Sequence, residues 1–346
     1  MQRPLTGQVA LVAGATRGAG RGIALELGAA GAKVYCTGRS TQGHAATPGR
    51  PETIDETAQL IIDAGGTAVA VRVDHTVETE VEALAARVRA EDGRLDVLVN
   101  DIWGGDDLID WRAKFWALDM AAVRTLVDQA ILSHLITSRY MAPLMVEKKR
   151  GLIVEITDGD LAGYRGQLLQ DLVKSSVIRL AYAMAWDLAG TGVTALVVAP
   201  GFLRSEAMLE RFGVTEANWR DAVKTHPDFE FSETPRYLGR AVAALAADPQ
   251  VGTKSGLSLF VDALADEYGF TDVDGQSPHF WRNIEAWLDE KIAGDGKLDP
   301  QVRWMAAARY GLIHLTPAHA ERARTYAARL GLEGLGGGLR PIGEQG

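Results

Sequence analysis

The chain has 346 residues, 47% hydrophobic and 23% charged, enough to bury a full core, and its length points to one main domain with an appendage. Its formal net charge of −9 is the opposite of the dense Lys/Arg footprint that phosphate-backbone recognition requires, so no nucleic-acid partner is expected. Met1 to Thr6 carry neither a basic start nor an apolar stretch, and no apolar run approaches the roughly 18 residues that span a bilayer, so a cytoplasmic chain with no membrane contact is expected. The single cysteine, Cys36, excludes an internal disulfide, and the seven histidines show no metal-ligand spacing, so no metal is expected.

In chain order, seven short β-branched runs predict strands: Val9 to Ala13, Lys33 to Thr37, Ala68 to Val73, Leu95 to Val99, Leu152 to Ile156, Val193 to Val198 and Leu257 to Val261. Helix-period stretches separate them, which predicts an α/β fold of the Rossmann type, a doubly wound parallel seven-stranded sheet. Right-handed crossovers then put all strand carboxyl ends on one edge, where a small-molecule ligand is expected. Ser40 to Glu52, rich in Gly, Thr and Pro, reads as a loop. Beyond about Tyr268 the pattern turns helical around Trp281, Trp287 and Trp304 with no further strand signal. This divides the chain into a domain over 1–268 and a helical C-terminal extension over 269–346. The extension is expected to pack as core or oligomer contact, with a lid over the ligand edge as the alternative.

Gly14-Ala15-Thr16-Arg17-Gly18-Ala19-Gly20 follows the first strand directly and opens a helix through Ile23 to Leu27. Glycines there let the backbone turn sharply against a pyrophosphate, whose charge the helix N-terminus stabilises. The second strand ends at Thr37-Gly38-Arg39, where a carboxylate would select the ribose hydroxyl of NAD. An arginine suits the extra phosphate of NADP, with Arg17 as its partner, so NADPH/NADP is the expected cofactor. The alternative reading of Arg39 is a solvated turn residue.

Gly14, Gly18, Gly20, Asp74, Asn100, Lys174 and Pro200-Gly201 together resemble the short-chain dehydrogenase/reductase family over roughly residues 5 to 262. The stretch from Leu264 through Gly275 resembles an extended branch of that family, the dehydrogenase/reductase member 1 branch. The resemblance implies that Asp74 contacts the adenine, Asn100 lines the cofactor cleft, Lys174 holds the nicotinamide ribose and Pro200-Gly201 wraps the nicotinamide. Thr16 joins the glycine turn in this cofactor set.

The resemblance breaks at the catalytic acid. The family places a Tyr four residues before the Lys and a Ser about thirteen before the Tyr; here those positions hold Gln170 and Thr157 or Asp158. The family's fourth-helix Asn falls on Asp128 without gaps, and Asp101 follows Asn100 in place of another Asn. Tyr164, six residues before Gln170, is the alternative proton donor.

Gln170 cannot deliver the proton that ketone reduction needs, a contribution of about 10² to 10⁴-fold. An iminium carbon needs hydride alone, and one carboxylate about 4 Å from its cation contributes on the order of 4 kcal/mol at an effective dielectric near 20. The expected chemistry is therefore NADPH-dependent reduction of an iminium or hemiaminal (C=N) carbon, with Asp158 as acid or cation stabiliser and Gln170 orienting the substrate. By resemblance of chemistry this is similar to reductases of tetrahydroisoquinoline-type antibiotic biosynthesis or self-resistance. Trp103, Trp111, Phe115 and Trp116 are candidates to stack on a flat or polycyclic substrate, or else pack under the loop. A homo-oligomer is expected. Two other functions stay open: a carbonyl reductase or alcohol dehydrogenase using Tyr164, and a non-redox cyclase or NADP-binding scaffold.

Overall fold

The computed structural model describes residues 3–159 and 165–293, the side chains as far as residue 290. Tyr164 and Trp304 lie outside the described residues.

Seven strands form one all-parallel sheet: β1 (Val9–Ala13), β2 (Lys33–Gly38), β3 (Thr67–Arg72), β4 (Val97–Asn100), β5 (Gly151–Ile156), β6 (Val193–Ala199) and β7 (Ser258–Phe260). Their order is β3-β2-β1-β4-β5-β6-β7, the Rossmann-type arrangement that the sequence predicts. β1 and β6 are buried along their whole length, as strands covered on both faces must be. The fourth strand starts at Val97 rather than Leu95, because the Asp96 carboxylate takes the Val9 N–H at 2.9 Å just before pairing begins.

Helices α1 (Gly18–Ala29), α2 (Ile54–Asp63), α8 (Pro235–Ala247) and α9 (Val261–Tyr268) belong to one side of the sheet, with Val12, Ile23, Leu27, Ile54, Tyr237 and Leu264 in a common core. On the other face α3 (Glu78–Asp92) and α5 (Ser133–Val146) enclose Leu11, Tyr35, Val81, Leu98 and Met141. α1 and α8 touch through their backbones: a Cβ on Gly22 would lie 2.2 Å from Pro235 O, and one on Gly239 2.4 Å from Gly22 O. That contact fixes the glycine turn in front of α1.

α4 (Met120–Val127) runs into α5 through a π-helical turn at Asp128–Leu132, and α6 (Leu168–Asp187) follows β5. α7 (Glu206–Arg211) lies in the connection from β6 to α8, and α10 (Phe280–Ala293) ends the described chain. No described helix is long and apolar enough to cross a membrane.

The strand order reverses between β1 and β4, which leave the sheet centre toward opposite flanks. A crevice opens there beyond the carboxyl ends, and it is where the candidate site lies.

Candidate active site

One elongated cavity of about 1070 Å³ runs along that edge. Its wall includes Gly14, Thr16, Arg17, Gly18, Arg39, Asp74, Trp103, Trp111, Thr157, Asp158, Gln170, Lys174, Pro200 and Gly201, so most of the sequence-derived candidates converge on it.

At one end the chain turns back through Gly14 (φ 95°) and Gly18 (φ 55°), conformations that side chains disfavour. A Cβ on Gly14 would sit 2.3 Å from Asp101 O, and one on Gly20 2.2 Å from Gly14 O. Gly20 therefore acts beneath the turn, not on the cavity wall. Arg17 lies just before α1 and donates to Thr47 Oγ1 at 3.3 Å, while Arg39 stands 4.0 Å from the Asp74 carboxylate. Although its burial works the other way, Asp74 is held below its ordinary value by hydrogen bonds from Thr76 and by Arg39. Arg17, Arg39, Ser40 and Thr47 on the wall, with no carboxylate at the end of β2, fit the phosphates of a dinucleotide.

At the other end, Thr157 donates its hydroxyl to Lys174 O at 2.9 Å, tying α6 to the end of β5. Lys174 Nζ stands 4.1 Å over the Trp103 ring, whose Nε1 donates to Asp106 Oδ1 at 2.7 Å. Burial lowers the Lys174 ammonium from its ordinary value, against the pull of Asp158 and Asp101. Gln170 Nε2 donates to Asp158 Oδ2 at 3.4 Å, while its buried Oε1 has no hydrogen-bond partner among the described residues. Arg165 frames the pair, donating to Asp158 O at 2.5 Å and to Asp171 Oδ1 at 3.0 Å.

Asp101, on the same wall, is pushed up to about 7 by burial, opposed by Lys174, His134 and the Gly20 N–H. Below it, His134 donates from both ring nitrogens within a buried array, Nδ1 to Glu155 Oε2 at 2.5 Å and Nε2 to Ile102 O at 2.9 Å.

Four candidates stand elsewhere. Asn100 is fully buried behind the wall, donating to Ser138 Oγ at 2.9 Å and Glu155 Oε1 at 2.7 Å. Asp128 is exposed at the start of the π turn, and Gln129 lines the cavity instead. Phe115 and Trp116 form an edge-to-face pair, 63% and 74% exposed, outside the cavity wall.

Several wall residues carry no signal in the sequence that marks them for the site: Arg165, Glu206 and, on α10, Phe280, Ile284 and Leu288, which share the wall with Trp281 of the extension. The four-residue spacing of Phe280, Ile284 and Leu288 is a helical signal that points to a shared face, but not to what that face covers. Trp281 Nε1 donates to Pro200 O at 3.0 Å, and a Cβ on Gly201 would lie 2.3 Å from Phe280 Cβ.

A glycine turn opening a helix, at the switch point of a parallel sheet and facing a half-buried lysine across one cavity, defines a Rossmann-type NAD(P)-dependent oxidoreductase. Residues 8–213 match the family model of the short chain dehydrogenases, and the chain belongs to that short-chain dehydrogenase/reductase family. It is 36% identical over 281 residues to dehydrogenase/reductase SDR family member 1 of Mus musculus, covering 80% of this chain and 86% of the relative. The Homo sapiens protein of that name is 35% identical over 302 residues, covering 86% and 93%. A solved short-chain dehydrogenase/reductase structure from Burkholderia xenovorans superimposes with a TM-score of 0.61 at 25% identity, covering 74% of this chain and 95% of that one.

Proposed function

We propose that the protein is an NADPH-dependent reductase acting on an iminium or hemiaminal carbon of a small polycyclic, alkaloid-like substrate. The observation that carries this reading is Gln170, which lines the cavity and donates Nε2 to the Asp158 carboxyl at 3.4 Å where the family presents a phenolic donor. The Asp158 carboxylate on that wall, with no phenol beside it at position 170, favours a substrate that brings a donor or a cation. Lys174 would hold the nicotinamide ribose, and Arg39 with Arg17 the extra phosphate. The bound cofactor supplies the hydride.

In a hemiaminal the C–O bond breaks as hydroxide takes a proton and leaves as water, and the nitrogen lone pair forms the C=N bond. Asp158, which accepts from Gln170 Nε2 at 3.4 Å, stabilises the cation so formed. Asp101, held near 7, is an enclosed carboxyl with a proton to give at neutral pH. Hydride then adds to the carbon, and the C=N electrons return to nitrogen with no further proton required. Thr157 keeps Lys174 in place through the turn of helix it bonds. No described residue bears on an antibiotic setting.

We also propose that residues 1–268 form the cofactor and catalytic unit and that the extension, through α10, walls its substrate end. The exposed Leu132, Leu135, Leu172 and Trp186 around α5 and α6 would meet a second copy in a homo-oligomer.

The test is kcat/KM for NADPH oxidation on N-methyl-3,4-dihydroisoquinolinium and on the matched ketone 1-tetralone, with Asp158→Asn and Tyr164→Phe. Asp158→Asn should lower iminium turnover about tenfold or more, and Tyr164→Phe should leave it unchanged. The reverse order would establish the carbonyl reductase in place of this reading.

A further inference from the structure

The N-terminus of α1, the place where a dinucleotide's pyrophosphate is expected, already carries an anion belonging to the chain. Gly18 N–H donates to Glu206 Oε2 at 2.8 Å, a contact across 188 positions of sequence. The other carboxylate oxygen stands 3.8 Å from Arg21 Nη1. Glu206 is the first residue of α7, and one turn later Glu210 pairs with Arg50 of the loop after β2, which also holds Glu52. α7 is thus strapped across the glycine turn by two acids. Glu206, Ser205 and Met208 share the cavity wall with Gly14, Thr16 and Gly18.

A helix N-terminus carries about half a positive charge and unsatisfied N–H groups, so it stabilises whichever anion reaches it. A carboxylate and a phosphate require the same Gly18 N–H, and both cannot have it. We propose that Glu206 is an internal stand-in for the cofactor's pyrophosphate: the dinucleotide takes the glycine turn by displacing it, so that cofactor binding and release of α7 are one event. α7 carries Met208 and Arg211, and Phe212 follows it; all three line the cavity, so the same displacement reshapes the substrate end. This rests on the dinucleotide reading of the cavity.

The experiment measures NADPH and NADH dissociation constants by nicotinamide fluorescence, and amide exchange over residues 205–212, for the full chain and two variants. Glu206→Gln removes the competing charge at nearly constant shape. Glu210→Gln removes only the strap to Arg50 and leaves Gly18 engaged. Glu206→Gln should tighten NADPH about tenfold, the size of one charge-assisted hydrogen bond released, and Glu210→Gln should change it less than about twofold. Saturating NADPH should speed exchange in α7 of the wild type, and Glu206→Gln should show that faster exchange without cofactor.

Unchanged or weaker NADPH binding by Glu206→Gln would overturn the proposal, since Glu206 would then be bracing the turn for the ligand. Equal tightening by Glu210→Gln would overturn it too, because loosening rather than charge would be the cause. If wild type and variants alike bind neither dinucleotide, the cofactor reading itself fails and takes this with it. Tighter NADH than NADPH would remove only the phosphate preference.

Discussion

Arg39 sits where two demands meet, 4.0 Å from Asp74 on one side and on the cavity wall on the other. In the proposed role it trades part of that carboxylate contact for a phosphate, a stronger and bidentate partner. Arg39→Asp places a carboxylate at the end of β2, so NADPH affinity should fall about tenfold or more and NADH affinity should rise. Titration of both cofactors checks this, and unchanged selectivity would return Arg39 to a solvated turn residue. The residue scale also shows where one sequence stops informing. Asn100 and Asp101 are neighbours, and extended backbone turns their side chains to opposite sides: Asn100 inward to Glu155, Asp101 to the cavity wall. Asp128 misses the cavity because the π turn beginning there adds a residue to the helix and advances its phase, bringing Gln129 to the wall. An alignment without gaps assumes a uniform helix and cannot register that step. Glu206 left no local trace at all, because its partner is 188 positions away.

At the scale of elements, the strands were legible because burial on both faces writes continuous apolar runs, and the glycine turn because its whole geometry is local. What stayed hidden was mutual packing, such as the backbone contact of α1 with α8 or the seating of α10 against the turn after β6. That seating has a measurable consequence. Trp281→Phe keeps a ring against Phe260 and Phe280 but removes the N–H that satisfies Pro200 O. An unsatisfied carbonyl costs about 1–3 kcal/mol, so Tm should drop. Because Pro200-Gly201 would face the nicotinamide, NADPH affinity should fall more than affinity for 2′-phospho-ADP-ribose, which lacks that ring. Equal losses for the two ligands would mean that α10 stabilises the fold without shaping the nicotinamide end.

Among the described residues, the flank of the sheet that carries α5 and α6 exposes the large apolar side chains Leu135, Leu172 and Trp186, with Leu132 just before α5. Trp186 is 69% exposed at the end of α6, and Leu172 lies further up the same helix. If that flank meets a second copy, Trp186→Arg with Leu172→Asp should give a smaller species in sedimentation velocity at unchanged far-UV signal. A wild type that sediments as a monomer at micromolar concentration would sink the homo-oligomer expectation.

Stability against pH is also a property of the whole molecule, and its sign follows from acids kept neutral by burial. Glu233 accepts from the Gly201 N–H behind the turn after β6 and is pushed up to about 8, first by burial and then by Asp272 and Asp262, with Arg204 and the Gly201 N–H pulling down. Asp101 behaves alike at about 7. A raised pKa in the fold means that folded chains keep a proton which unfolded chains release, so this stability is complete below the ordinary value and is lost as pH rises through the raised one. His75 acts in the other direction: burial lowers it to about 3, which adds stability as pH rises toward its ordinary 6.5 and nothing beyond. His134 is held above its ordinary value by Glu155, although its burial opposes this, so it too loses stability as pH rises above about 6.5. The opposing contributions of His75 and the acids therefore overlap below about pH 6.5; above it, to about 8, the losses from Glu233, Asp101 and His134 face one described gain, from the Lys174 ammonium that burial lowers. The protein without cofactor should melt at a falling Tm across that window. Glu233→Gln, which keeps the shape and removes the titration, should flatten the slope by up to about 1.4 kcal/mol per pH unit. A wild type whose Tm rises between pH 6.5 and 8, or a Glu233→Gln variant with an undiminished slope, would show that Glu233 is ionised in the fold, with Arg204 as its effective counter-charge.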